Sequence, residues 1–146
     1  MRSAVIALLM LLSLVTKGQV RTIEGKVVGE YDFEPLSGVT IQTVDKVQLG
    51  ITDINGRFKV ELPVAADQLL LQALKMESAL VTLKADCSKL EIIMLADGPH
   101  DFMTLSRENN ERYKRFKALS KKHKLAYTKA AFTSDRPCVI YTFQEH

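Results

Sequence analysis

Tryptophan is absent from this 146-residue chain, and aromatic residues make up only 7% of it. Any core must therefore be built mainly from aliphatic side chains. Seven glycines and four prolines are too few for a collagen-like or low-complexity segment. With 47% hydrophobic and 25% charged residues, the composition is that of an ordinary globular domain and excludes wholesale disorder. No G-x-S-x-G, P-loop or H-E-x-x-H sequence occurs, so three common routes to hydrolysis and phosphate chemistry have no foothold. His100, His123 and His146 lack the close spacing by which zinc ligands announce themselves. Neither a metal nor another cofactor is expected, and no carboxylate pair suited to acid–base chemistry stands out.

Long apolar runs are also missing, with one exception. After Met1, Arg2 and Ser3, residues 4–15 form an apolar stretch broken only by Ser13. Twelve residues reach about 18 Å as a helix, short of a ~30 Å hydrocarbon core. Thr16 and Gly18 then place small residues at −3 and −1 ahead of Gln19. This three-part pattern predicts a secretory signal peptide over residues 1–18, cleaved between Gly18 and Gln19. The remaining chain has no run able to span a bilayer, so a periplasmic, outer-membrane-peripheral or secreted location is expected.

Charge is spread unevenly. Residues 19–98 hold 8 basic and 12 acidic side chains, whereas residues 99–146 hold 10 basic and 5 acidic. An acidic body followed by a basic tail is a statement about partners or about internal docking. Only two cysteines, Cys87 and Cys138, are present, and they permit one intramolecular pairing. In an oxidising compartment they are expected to form a disulfide. Two buried thiols and a catalytic thiol are the alternatives, the last without a base placed nearby by sequence.

Residues 22–28, 39–44, 47–52, 57–62, 68–74, 79–84 and 90–95 read as short strands, several alternating apolar and polar side chains. Residues 69–74 are short enough to be a helical turn instead. Pro35 and Gly38 mark one turn. Asp53, Asn55 and Gly56 mark another, where Asn-Gly predicts a tight hairpin with both central residues at positive φ. The same residues do not make a calcium loop, because Ile51 and Leu62 occupy positions that need oxygen ligands. The rhythm predicts a mainly β, antiparallel sandwich of about seven strands over residues 19–98.

Residues 99–146 change character. Ser106 is a candidate N-cap with Glu108 in the first turn, and residues 106–124 are rich in helix formers. Tyr113, Phe116 and Leu119 make a narrow apolar stripe. Around it stand Arg107, Arg112, Lys114, Arg115, Lys117, Lys121, Lys122 and Lys124, against only Glu108 and Glu111. Two readings follow: a solvated helix docked on the acidic sandwich by its stripe, or a partner-binding basic surface. Residues 138–143 read as a last strand.

Three segments stand in a recognisable order: Gly25-Lys26-Val27, then Pro35-Leu36-Ser37-Gly38-Val39-Thr40-Ile41, then Thr52-Asp53-Ile54-Asn55-Gly56-Arg57-Phe58. Together they resemble the carboxypeptidase regulatory-like domain, a relative of transthyretin and immunoglobulin-like sandwiches. The resemblance is specific over residues 22–62. It continues as strand rhythm to residue 96 and does not reach residues 99–146. The glycine-tyrosine segment found in many members is replaced by Lys75-Met76-Glu77. The resemblance implies a non-catalytic module, of the kind found in small exported proteins of Bacteroidetes-type bacteria and ahead of their TonB-dependent receptors. Transthyretin-like hydrolases end in Y-R-G-S, whereas this chain ends Phe143-Gln144-Glu145-His146.

The function expected is that of an exported binding or adaptor module of the bacterial envelope, recognising an envelope protein through sandwich edges and loops. The alternative is a peripheral structural protein held to anionic lipid or an acidic partner by the basic helix. A small hydrolase is the remote third reading. Export argues against nucleic acid as a partner.

Overall fold

The structure, a computed structural model, describes residues 18–99 and 101–146. The expected signal peptide therefore lies outside the described residues except for Gly18, and so does His100. Among the described residues eight strands and two helices follow one another: β1 (Val20–Gly29), β2 (Thr40–Gln42), β3 (Gln48–Ile51), β4 (Arg57–Pro63), β5 (Gln68–Gln72), β6 (Ala79–Leu83), β7 (Lys89–Met94), α1 (Leu105–Lys117), α2 (Leu119–Thr128) and β8 (Val139–Thr142). They make a three-stranded sheet in the order β4-β1-β7 and a five-stranded sheet in the order β3-β2-β5-β6-β8. The mainly β sandwich read from the sequence is thus present, and residues 68–72 form a strand rather than a helical turn.

One expectation is corrected. The sandwich is not wholly antiparallel, because β1 and β7 pair in parallel, Val27 opposite Ile92. Parallel neighbours need a long connection, and here the intervening connection contains β2 to β6.

Alternation explains which side chains go inside. In β4, Phe58, Val60 and Leu62 are buried while Arg57, Lys59 and Glu61 face water. They join Ile23, Val27, Ile41, Leu69, Leu71, Val81, Leu90, Ile92 and Met94 in the core between the sheets. The next residues along β1 and β7, Val28 and Ile93, point the other way. With Phe33 and Leu95 they meet Leu119, Ala126 and Phe132 in a second core beneath the helices. The three-stranded sheet is therefore covered on both faces along β1 and β7, and the strands carry consecutive apolar residues there.

The C-terminal segment is built into this frame. Strand β8 pairs with β6, Leu83 opposite Val139. Cys87 and Cys138, 51 positions apart in sequence, form a disulfide with Cα atoms 5.9 Å apart. Tyr141 reaches across to the other sheet, where its hydroxyl accepts the Ile93 N–H at 2.9 Å. Burial pushes the Tyr141 phenol well above its ordinary pKa, so it stays protonated.

The Asp53–Arg57 turn also differs from expectation. Gly56 N–H donates to Asp53 O at 2.9 Å and Asp53 N–H to Arg57 O at 2.8 Å. Only Gly56 takes positive φ, at 70°, and Asn55 does not. The loop has three residues, in which a type I turn is followed by a left-handed glycine. It turns the chain from one sheet to the other, since β3 and β4 belong to different sheets. The Asp53 carboxylate fixes it by accepting the Asn55 and Arg57 N–H groups, each at 2.9 Å.

A Cβ on Gly56 would lie 2.5 Å from Val27 O. Gly56→Ala is therefore expected to cost about 2 kcal/mol or more, read as a lower urea midpoint at unchanged m-value. Cys138→Ser is expected to cost about 4 kcal/mol, from the entropy of the released loop, by the same measurement under non-reducing conditions.

Candidate functional site

Thr104, not Ser106, caps α1. Its extended backbone (φ −71°, ψ 150°) suits the cap position, and its side chain accepts the Arg107 N–H. Ser106 already lies inside the first turn. The single helix expected over residues 106–124 is two helices, parted at Ala118, whose N–H donates back to Arg115 O at 3.1 Å. Arg112, Arg115 and Phe116 form the inward face of α1, and Leu119, His123 and Ala126 that of α2. Phe116 and Leu119 fulfil the apolar stripe. Tyr113 remains 45% exposed and packs edge-on against Phe143, with ring centroids 5.1 Å apart.

The eight basic residues divide. Three turn inward onto two carboxylates of the sandwich. Glu30, which follows β1 on the same face as Val28, has a side chain only 1% exposed. Lys122 Nζ donates to its Oε2 at 2.6 Å, Arg115 Nη2 donates to its Oε1, and the Ala96 N–H donates to Oε1 at 2.9 Å. Arg115 Nη2 also donates to Ala96 O at 2.6 Å. Beside this group, Arg112 Nε lies 3.1 Å and Arg115 Nη1 3.6 Å from Glu77 Oε1. The other five, Arg107, Lys114, Lys117, Lys121 and Lys124, are exposed.

Burial pushes the Glu30 carboxyl up, but the hydrogen bonds from Arg115, Lys122 and Ala96 outweigh it, and the net shift is downward. Burial likewise opposes the charge on Arg115, and Glu30 more than restores it. His123 behaves oppositely. Its ring is buried against Phe132, and burial pulls its pKa down against the raising influence of Ser134 O, Glu91 and Asp135. Nε2 donates to Ser134 O at 3.0 Å. Glu91 in turn accepts the N–H groups of Thr133 and Ser134 at 2.7 and 2.9 Å, fixing the loop before β8 to β7.

Space for a ligand inside this assembly is small. The cleft between α1 and strands β6 and β8, lined by Glu77, Arg112, Phe116, Tyr141 and Phe143, offers about 30 Å³. That suits a water molecule, not a metabolite. A shallow, solvent-open concavity on the outer side of α1 is lined by Arg107, Tyr113, Lys114 and Lys117. Among the described residues no cluster of His, Cys, Asp and Glu could hold a metal ion. No helix among them is long and apolar enough to cross a membrane.

The structure brings Asp53, Asn55 and Gly56 together as a turn, Cys87 and Cys138 as a disulfide, and the basic residues as a layer with two faces. Glu30 and Glu77 were not singled out by sequence reasoning. The excess of acid in residues 19–98 signalled attraction to the basic tail, and strand alternation places Glu30 on Val28's face. No protein-family model matches the chain, and no curated protein matches it.

Stability is expected to decline in two stages as pH falls. The ordinary value for His123 is 6.5, and its folded value is lower. The unfolded chain therefore takes up that proton first, and stability starts to fall below pH 6.5. Glu30 follows below its ordinary value of 4.5. Its contribution is complete above that pH and is lost as pH falls through the lower folded value. Glu30→Gln is expected to cost about 3–5 kcal/mol at neutral pH and to flatten the second stage only. Urea titrations at stepped pH check both statements.

Proposed function

We propose that this protein is a non-catalytic, exported binding module of the bacterial cell envelope, and that the outer face of its helical layer recognises a negatively charged partner. The observation carrying this reading is the division of the eight basic residues. Arg112, Arg115 and Lys122 bolt the helices to Glu30 and Glu77, so Arg107, Lys114, Lys117, Lys121 and Lys124 stand on a fixed support. A fixed array of like charges creates a field that attracts an opposite surface and is screened by salt.

Other features support parts of the reading. The resemblance of residues 22–62 to carboxypeptidase regulatory-like domains favours a module without chemistry of its own. A disulfide suits an oxidising compartment, as the signal-like N-terminus does. Sandwich edges, the recognition surface first expected, are less available. At one margin β3 lies on β4, with a Cβ on Gly50 reaching within 2.8 Å of Val60. At the other, Tyr141 bridges β8 to β7.

The test is co-sedimentation of the protein with isolated envelope fragments across a salt series. Binding is expected at low salt and is expected to weaken at least tenfold when Lys121→Glu, Lys124→Glu and Lys117→Glu are combined. Equal binding by that variant, or binding indifferent to salt, would overturn the reading. Turnover of a substrate that a point substitution abolishes would overturn its non-catalytic part.

A further inference from the structure

The approach to α1 turns apolar side chains to water. Phe102 is fully exposed, at 106% of its reference area, with Leu105 at 56% and Met103 at 39%. Phe102 also holds a left-handed backbone, φ 69°, where a bulky residue is uncommon. These three side chains lie within four residues, immediately beside the concavity that Thr104, Ser106, Arg107, Tyr113, Lys114 and Lys117 line. The apolar tip thus adjoins the groove at the first turn of α1, where Arg107 lies, and the groove runs along the helix to Lys114 and Lys117 in its last turn. Glu111 shares the groove, where its carboxylate is 3.0 Å from Lys114 Nζ, and cations still outnumber it three to one.

Resting on the function proposed above, we propose that the outer side of α1, with the apolar tip that precedes it, anchors the protein to an anionic lipid bilayer. Phe102, Met103 and Leu105 enter the boundary between headgroups and acyl chains, and Arg107, Lys114 and Lys117 contact headgroup phosphates. A partner offering only negative charge would pair the cations and leave Phe102 and Leu105 in water. A bilayer with anionic headgroups offers both parts in the right order, charge outside and hydrocarbon a few ångströms beneath. Tyr113, half-exposed between them, is of the amphipathic type that settles at such a boundary. The amphipathic helix here does not lie free to refold on lipid. Its inward face is already occupied by Glu30, Glu77 and the second core, so only the tip and the outer groove are available, and the attachment is peripheral.

Vesicle sedimentation tests this, with phosphatidylcholine alone or mixed with phosphatidylglycerol. The protein is expected to bind the mixed vesicles and not the neutral ones. Combining Arg107→Gln, Lys114→Gln and Lys117→Gln is expected to weaken binding about 100-fold, from roughly fivefold for each cation near an anionic surface. Phe102→Ser with Leu105→Ser is expected to weaken it about tenfold while leaving its salt dependence unchanged. Both sets of substitutions lie on exposed side chains, and equal thermal midpoints verify folding. Failure to bind mixed vesicles, with salt-sensitive binding to envelope fragments retained, overturns the lipid inference alone and leaves an acidic protein as partner. Loss of both overturns the parent reading too. An unaffected Phe102/Leu105 variant, or displacement by millimolar inorganic phosphate, also overturns the anchor, the latter in favour of a free-phosphate site.

Discussion

Glu30 sits where the sandwich ends and the helical layer begins, with 1% of its side chain exposed. A lone carboxylate there would be driven to its neutral form by desolvation. It stays ionised because two cations from two different helices reach it, Arg115 from α1 and Lys122 from α2. Neither helix alone satisfies it. Arg115 also ties the site to the Ala96 carbonyl, just beyond β7, so one guanidinium holds a helix, a strand end and a buried acid in register. Such an arrangement adds less net stability than its short distances suggest, because desolvation offsets much of the attraction. What it specifies is position. Apolar contact in the second core is non-directional, whereas the hydrogen bonds to Glu30 set the positions of Arg115 and Lys122 directly.

A second fixed point joins three sequence segments, residues 25–27, 35–41 and 52–58. Thr52 Oγ1 donates to Leu36 O at 2.6 Å and accepts the Val39 N–H at 2.9 Å. Val27 N–H donates to Gly56 O, and Leu36 N–H to Val27 O. The three sequence segments therefore converge on one corner where the chain passes between sheets. Gly25 belongs to the same logic, since a Cβ there would sit 2.4 Å from the Phe58 ring. The residue types in the motif are required by backbone geometry and close approach, and they describe a fold rather than a binding site. These residues therefore speak to architecture over residues 22–62 and say little about a partner.

Legibility follows from the range of the interactions involved. Strand β4 was readable from its local side-chain alternation, β7 from its short apolar run, and a turn at residues 53–56 from its local Asn-Gly signal, but not the type of that turn. The parallel pairing of β1 with β7 was not readable, because it joins residues more than sixty positions apart without a local signature. The break at Ala118 was also hidden: neither proline nor glycine marks it, and the helix parts where Leu119, Lys122 and His123 find tertiary partners. For the candidate site, composition exposed the charge imbalance between body and tail. It could not say which of eight cations would be consumed inside, since Arg112 and Arg115 differ from the exposed Arg107 only by their place around a helix.

That distinction bears on why the layer is so basic. Folding accounts for Arg112, Arg115 and Lys122, each matched to a buried acid. It does not account for Arg107, Lys114, Lys117, Lys121 and Lys124, which stand in water and repel one another. Nor does folding account for Phe102 and Leu105, which join neither apolar core. Glu111 beside Lys114, and Tyr113 beneath Lys117 at 4.8 Å, soften the repulsion without removing it. Exposed pairs of this kind contribute little to stability. A surface that combines an excess of cations over acids with uncovered apolar side chains is thus unexplained by the protein's own cohesion, and a partner supplying negative charge and apolar contact together would account for both.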